Sequence, residues 1–211
     1  MNIRIGIFGG TFDPLHMGHL TIVQEIRTEL DLREIYLMPN YIPPHKKPAQ
    51  ASDSDRLAMI NILCQEYREL KCLDYEIRKE ETSYLSNTLQ NIRKLEPFCH
   101  CDLFFIIGMD SLLTFPAWHC PEIILQNTNL AVASRPGFNL TDCPDDLAAR
   151  IIPKSRIQED TNGQIVLCAT SQIDISSTLL RDQNLNFIKE HVPHCIYKYI
   201  KEHNLYHYDK R

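Results

Sequence analysis

The chain has 211 residues, 44% hydrophobic and 23% charged. That is the composition of a soluble globule with a full apolar core, in one α/β domain or one domain with a small appendage. A net charge of −5 and a pI near 6.0 argue against a general nucleic-acid footprint while leaving room for a local basic pocket, and no apolar run approaches the ~18 residues of a membrane span.

The N-terminus enters a predicted strand, residues 3–8, directly and without a signal peptide. The strand breaks into Gly9-Gly10-Thr11-Phe12-Asp13-Pro14-Leu15-His16-Met17-Gly18-His19. Four of the seven glycines (Gly6, Gly9, Gly10 and Gly18) fall here, so the backbone must turn tightly or admit a ligand. Leu20, Val23, Ile26 and Leu30 predict a helix over 19–30. His16 and His19 therefore stand at or just before a helix N-terminus, whose free N–H groups attract anions. Neither G-x-G-x-x-G nor G-x-x-x-x-G-K-[ST] occurs. The imidazoles then take the part a lysine plays in such loops, donating to phosphoryl oxygens and, when protonated, offsetting charge that builds during displacement. His-x-x-His alone could be a pair of capping or surface histidines; the adjoining glycine turn favours a phosphate site.

A second strand at 35–38 runs into Met38-Pro39-Asn40-Tyr41-Ile42-Pro43-Pro44-His45-Lys46-Lys47-Pro48, stiffened by four prolines and charged by two lysines. It reads as a solvated basic loop or, beside the first motif, as a phosphate-gripping arm. A helix over 55–67, a strand at 72–77 and a helix over 84–95 follow. The eight cysteines are scattered without a C-x-x-C, as in a reduced cytoplasmic protein. Cys99-His100-Cys101 is the one dense cluster of soft ligands, but a structural zinc site would need further paired ligands, so no protein metal site is assigned.

The strand at 103–107 is apolar throughout, as burial on both faces requires. It ends at Gly108, and Asp110 beyond it suits ribose hydroxyls or a helix N-cap. Trp118, the only tryptophan, fits a core or rim position. Strands at 130–134 and 165–169 precede Ile175-Ser176-Ser177-Thr178-Leu179-Leu180-Arg181. Its hydroxyls are either simple caps or, with Arg181 on the same helical face, a polyphosphate clamp. A helix over 193–203 completes a C-terminal helical segment of about 171–206, with Val192, Ile196 and Tyr199 expected to cover the sheet. The alternation predicts a Rossmann-like open parallel sheet with helices on both faces, in a single domain over 1–211. The loops after Phe8, Met38, Ile107 and Ala169 are then expected to share one crevice.

GGTFDPLHMGH resembles the signature of the bacterial nicotinate-nucleotide adenylyltransferases, in the nucleotidyltransferase superfamily marked by an H-x-G-H pair. The pair is also similar to the HIGH element of class I aminoacyl-tRNA synthetases, but the chain is too short for one and has no KMSKS-like segment. Further segments similar to P-N-x-x-P-P-H-K, G-x-D-S-L-x-x-F-x-x-W and I-S-S-T-x-x-R carry the resemblance from residue 3 to about 182. The resemblance implies adenylyl transfer from ATP to nicotinate mononucleotide, giving nicotinate adenine dinucleotide and pyrophosphate in NAD biosynthesis, with Mg²⁺ bound mainly through the ATP phosphates. It implies catalytic roles for His16, His19, Lys46 and Arg181. ATP would be held by Gly9, Gly10, Thr11, Phe12, Gly108, Asp110, Ser176, Ser177 and Thr178, and the nicotinate nucleotide by Asn40, Tyr84, Leu85, Trp118 and His119. Lys47 is a less specific phosphate contact, and Asp13 reads as a turn residue rather than an indirect magnesium partner. Leu85 departs from the family's S-Y-T-x-x-T-L, whose threonine helps hold the carboxylate; Ser83, Ser86 or backbone N–H groups would serve instead. The alternatives are nicotinamide mononucleotide as acceptor and a non-catalytic nucleotide-binding regulator. Neither nucleic acid nor membrane is an expected partner, and homo-oligomerisation is left open.

Overall fold

In a computed structural model that describes residues 2–42, 48–134, 143–171 and 173–207, the first apolar run becomes β1 (Arg4–Gly10). The other strands are β2 (Glu34–Pro39), β3 (Leu70–Cys72), β4 (Asp102–Gly108), β5 (Asn129–Ser134) and β6 (Ile165–Ala169). They form one sheet in the order β3-β2-β1-β4-β5-β6. The β1–β4, β4–β5 and β5–β6 pairs are parallel, with Ile5 opposite Leu103, Phe105 opposite Leu130 and Leu130 opposite Ile165. Leu103 to Ile107 are buried, as side chains are on both faces of a central parallel strand, and β4 lies between β1 and β5. The order reverses between β1 and β4. Right-handed crossovers then send the connections on either side of the reversal to opposite faces, which makes this the Rossmann-like α/β fold that the sequence predicts.

The helices between strands are α1 (Met17–Leu30), α2 (Asp53–Glu66), α3 (Tyr75–Lys79), α4 (Leu85–Ile92), α5 (Met109–Thr114), α6 (Pro121–Asn127) and α7 (Asp145–Ala148). After β6 come α8 (Ser177–Arg181), α9 (Leu185–His191) and α10 (His194–Glu202). The strand predicted at 72–77 is corrected: β3 ends at Cys72, and α3 begins at Tyr75. Ile77 is apolar because α3 buries it, while Asp74 holds Arg78 Nε at 2.7 Å, a local i, i+4 pair that a strand could not make. The expected role of the last helix also changes. Ile196 is buried as predicted, but α10 packs on α2, and the Tyr199 hydroxyl donates to Asp55 at 3.0 Å.

Two compact units make up the chain. The first draws on Met1–Gly9, Ile22–Tyr36 and Tyr84–Ser171, and the second on Gly10–Thr21, Leu37–Ser83 and Gln172–Arg211. In the first, β4 is the apolar centre. In the second, α2 is the main support: Ser52 caps its N-terminus by accepting from the Asp55 N–H at 3.1 Å, and Met59, Ile60 and Leu63 are buried.

Candidate active site

Within the second unit the chain from Gly10 to His19 is held at several points. The Gly10 carbonyl accepts from the Asn40 N–H at 3.0 Å. Phe12 adopts a left-handed φ of 50° and its ring lies so close that a Cβ on Gly10 would stand 2.9 Å from it. Close approach, more than turning, makes Gly10 a glycine. The Thr11 carbonyl accepts from Arg56 Nη1 at 2.8 Å. Asp13 accepts from the Ala51 and Gln50 N–H groups at 3.0 and 2.8 Å, one on each carboxylate oxygen. Asp13 is thus a structural member of the turn.

His16 occupies the cap position of α1, its carbonyl accepting from the His19 and Leu20 N–H groups at 3.0 and 3.1 Å. His19, in the first turn, returns its Nδ1 to the His16 N–H at 3.3 Å. This is the back-reaching half of a capping box, with imidazole in place of glutamate. An Nδ1 that accepts leaves the proton of the neutral His19 ring on Nε2. The two rings stack at 3.7 Å, and Phe12 meets His19 edge-on at 5.4 Å. A Cβ on Gly18 would lie 3.1 Å from His16 Nδ1, so the glycine between the histidines is what gives the first ring room.

The serine-rich segment reaches the same turn. The Ser176 hydroxyl caps α8 by accepting from the Leu179 N–H, and the Ser177 hydroxyl donates to the Pro14 carbonyl at 2.9 Å. Arg181 donates through Nη1 to the Asp13 carbonyl at 2.7 Å and through Nη2 to the Thr178 hydroxyl at 3.1 Å. Its Nη1 also lies 3.5 Å from the Asp13 carboxylate. Four buried polar atoms of these residues lack a hydrogen-bond partner: His16 Nδ1, Asn40 Oδ1, Arg56 Nε and Arg181 Nε. Buried polar atoms are ordinarily paired, so such atoms together point to a polar ligand.

In the first unit, Tyr84 precedes α4, and the buried Ser86 hydroxyl lies 3.0 Å from His119 Nδ1. The His119 ring tilts against Tyr84 at 4.4 Å, and half-buried Trp118 rests on Phe115 at 5.4 Å. Gly108 caps α5, which leaves Asp110 as an exposed first-turn carboxylate and removes the N-cap alternative for it. A Cβ on Gly108 would meet nothing within 4 Å. Leu85 opens α4 and is half-buried.

Residues 7–183 match the cytidylyltransferase-like family, a span that takes in both histidines and Arg181. A Shewanella pealeana protein named as a probable nicotinate-nucleotide adenylyltransferase is 37% identical over 210 residues, covering 97% of this chain and 96% of that one. A Shewanella woodyi protein of the same name is 37% identical over 211 residues, covering 97% and 99%. The chain belongs to the nicotinate-nucleotide adenylyltransferases, within the cytidylyltransferase-like family. The solved structure of Plasmodium falciparum nicotinic acid mononucleotide adenylyltransferase complexed with NaAD covers 98% of each chain, with a TM-score of 0.71 and 20% identity, a likeness of fold.

This adenylyltransferase is therefore a nucleotidyltransferase enzyme, and its predicted site residues fall into two sets. Gly10, Thr11, Phe12, His16, His19, Asn40, Ser176, Ser177, Thr178 and Arg181 belong to the second unit, and direct contacts tie Arg181 and Ser177 to the histidine turn. Gly9, Tyr84, Leu85, Gly108, Asp110, Trp118 and His119 belong to the first. Lys46 and Lys47 lie outside the described residues. Sequence reasoning missed Arg56, a wholly buried cation that donates to Thr11 and pairs with Asp53. The one available signal was an arginine on the apolar face shared by Met59, Ile60 and Leu63.

Burial lowers the His16 imidazole from its ordinary 6.5 to about 4, so the ring is neutral at physiological pH. The unfolded chain takes up this proton near 6.5, and the folded protein only near 4. The resulting stability is full above 6.5 and is lost as pH falls toward 4, amounting to about 3 kcal/mol. Urea unfolding of wild type should therefore lose more stability across that window than His16→Asn does. Parallel pH profiles for the two proteins would show that burial does not hold the ring neutral.

Proposed function

We propose that the protein transfers the adenylyl group of ATP to nicotinate mononucleotide, forming nicotinate adenine dinucleotide and pyrophosphate. The observation that carries this reading is the tie between two distant motifs: Arg181 donates to Asp13 three residues before His16, and both residues carry buried polar atoms without a partner. An oxygen of the acceptor's 5′-phosphate forms the new bond to the α-phosphorus, and the α–β bridging bond breaks to release pyrophosphate. The acceptor phosphate is already a dianion near neutral pH, so positioning and charge stabilisation suffice. His19 Nε2–H and the His16 ring hold the α-phosphoryl oxygens, and Arg181 with Lys46 holds the β and γ phosphates. Gly9, Gly10, Thr11, Phe12 and the segment 176–178 receive the rest of ATP, with Gly108 beside its adenosine and Asp110 on its ribose. Asn40, Tyr84, Leu85, Trp118 and His119 receive the nicotinate nucleotide.

A divalent metal accompanies ATP, and we take it to be Mg²⁺, which neutralises polyphosphate charge. It is held through the phosphates, because Asp13 already gives both carboxylate oxygens to N–H donors. No helix among the described residues is long and apolar enough to cross a membrane, and all eight cysteines are free, which suits a reducing cytoplasm.

A pyrophosphate-release assay with ATP and nicotinate mononucleotide tests the reaction; no pyrophosphate from folded protein would leave only a nucleotide-binding regulator. In the same assay Arg181→Ala should raise the KM for ATP on the order of tenfold, as loss of a charged hydrogen bond implies, with the mononucleotide KM nearly unchanged. A rise confined to the mononucleotide KM would remove Arg181 from the polyphosphate.

A further inference from the structure

The turn after α4, in the first unit, takes no part in the reaction above. Glu96 stands in the turn just before the 3₁₀ helix Phe98–His100, and Cys99 and His100 lie within that helix, with their side chains gathered on one side. A carboxylate oxygen, the Cys99 Sγ and an imidazole nitrogen all lie within 4.8 Å of one another, and His100 Nε2 is 3.9 Å from Glu96 Oε1. The backbone beneath them is fixed. The Phe98 and Cys99 N–H groups donate to the Leu95 carbonyl at 2.8 and 3.1 Å. Arg93 clamps the other end, donating to the Phe98 carbonyl and, at 3.0 Å, to the Cys101 carbonyl. Cys101, the second thiol of the sequence cluster, is buried and donates its S–H to the Phe98 carbonyl at 3.5 Å, so it is not part of this group. Glu96 supplies the third ligand that Cys99-His100-Cys101 lacked.

We propose that Glu96, Cys99 and His100 form a surface site for a divalent metal ion of the zinc class. One oxygen, one sulfur and one nitrogen are the ligand types Zn²⁺ accepts, and three protein ligands leave its fourth position to water. The thiolate and imidazole disfavour Mg²⁺ and Ca²⁺, which prefer oxygen. Zinc–ligand bonds of ~2.0–2.3 Å set donor atoms roughly 3.5 Å apart in a tetrahedron, so the three donors must close by about 1 Å. The Glu96 and His100 side chains are 74% and 82% exposed, and rotamer adjustment on a fixed backbone supplies that movement. Binding releases the Cys99 thiol proton to solvent.

Titration of the full-length reduced protein with Co²⁺, followed by competition with Zn²⁺, reads the site independently of catalysis. One equivalent of Co²⁺ should bring a sulfur-to-cobalt charge-transfer absorption that Zn²⁺ abolishes. Cys99→Ser should remove the absorption, and Glu96→Gln and His100→Ala should each weaken Co²⁺ binding by about tenfold or more. Cys120→Ser, which removes the exposed thiol beside His119, should leave it intact. Absorption that survives Cys99→Ser, that disappears in Cys120→Ser, or whose affinity ignores both Glu96 and His100 would overturn the proposal, as would no absorption at all.

Discussion

His19→Ala should fold and bind ATP, yet turn over about 10²–10³ times more slowly than wild type. The expected loss, ~2.7–4 kcal/mol, is that of one preorganised donor to an oxygen that gains charge in the transition state. The ring is preorganised by its own helix end: Nδ1 accepts from the His16 N–H at 3.3 Å, and Phe12 and His16 hold the ring edge-on and face-on. Two further substitutions separate catalysis from capping. His19→Asn places a side-chain oxygen near the Nδ1 position, so it should keep the cap and the stability of α1 without restoring turnover. His19→Gln extends an amide toward the Nε2 position and should recover part of the rate. Thermal unfolding and kcat measured on the three variants give the answer. Near-normal kcat in folded His19→Ala would take His19 out of the mechanism.

The candidate site residues were legible because their types are unusual for their places. Histidines at a helix start, glycines crowded into one turn and an arginine following three hydroxyls are all poor choices for a merely stable fold. The apolar run at 103–107 was legible for the opposite reason, since a strand buried on both faces has no polar alternation. What the sequence hid is long-range. Nothing local says that Ser177 and Arg181 would hydrogen-bond the carbonyls of Pro14 and Asp13, or that Asp13 would receive the N–H groups of Gln50 and Ala51. The error at 72–77 has a local cause. Leu73, Tyr75 and Ile77 alternate as in a strand, but Asp74 and Arg78 pair only across a helical turn. Of the three hydroxyls, only Ser176 makes the cap that the sequence offers as one reading; Ser177 donates to the Pro14 carbonyl of the histidine turn and Thr178 accepts from Arg181.

Leu85 bears on the choice between acid and amide, and on the proposed reading the N–H groups at the start of α4 take the place of its missing hydroxyl. The first intrahelical bond of α4 runs from the Thr88 N–H to the Tyr84 carbonyl, so the N–H groups of Leu85, Ser86 and Asn87 precede the regular ladder. No acidic residue occupies that first turn. Ser86 is the poorer candidate because it is buried against His119, whereas the Ser83 hydroxyl, which accepts from the Tyr41 N–H at 3.0 Å, keeps its own O–H to donate. A carboxylate at this helix end accepts from N–H donors and gains from the dipole, whereas an amide NH₂ would set donor against donor. Nicotinate mononucleotide should therefore be preferred over nicotinamide mononucleotide by on the order of 10² or more in kcat/KM. Trp118→Ala should weaken both acceptors and leave their ratio nearly intact, since a half-buried indole stacks on either ring. Leu85→Pro is the sharper probe. Proline suits the first position of a helix, the extended Tyr84 before it (φ −95°, ψ 113°) accommodates the ring, and one N–H is lost without breaking α4. That variant should lower the acid-to-amide ratio roughly tenfold while the protein remains folded. Equal use of acid and amide by wild type would sink the acceptor assignment, and an unchanged ratio in Leu85→Pro would move the carboxylate away from the start of α4.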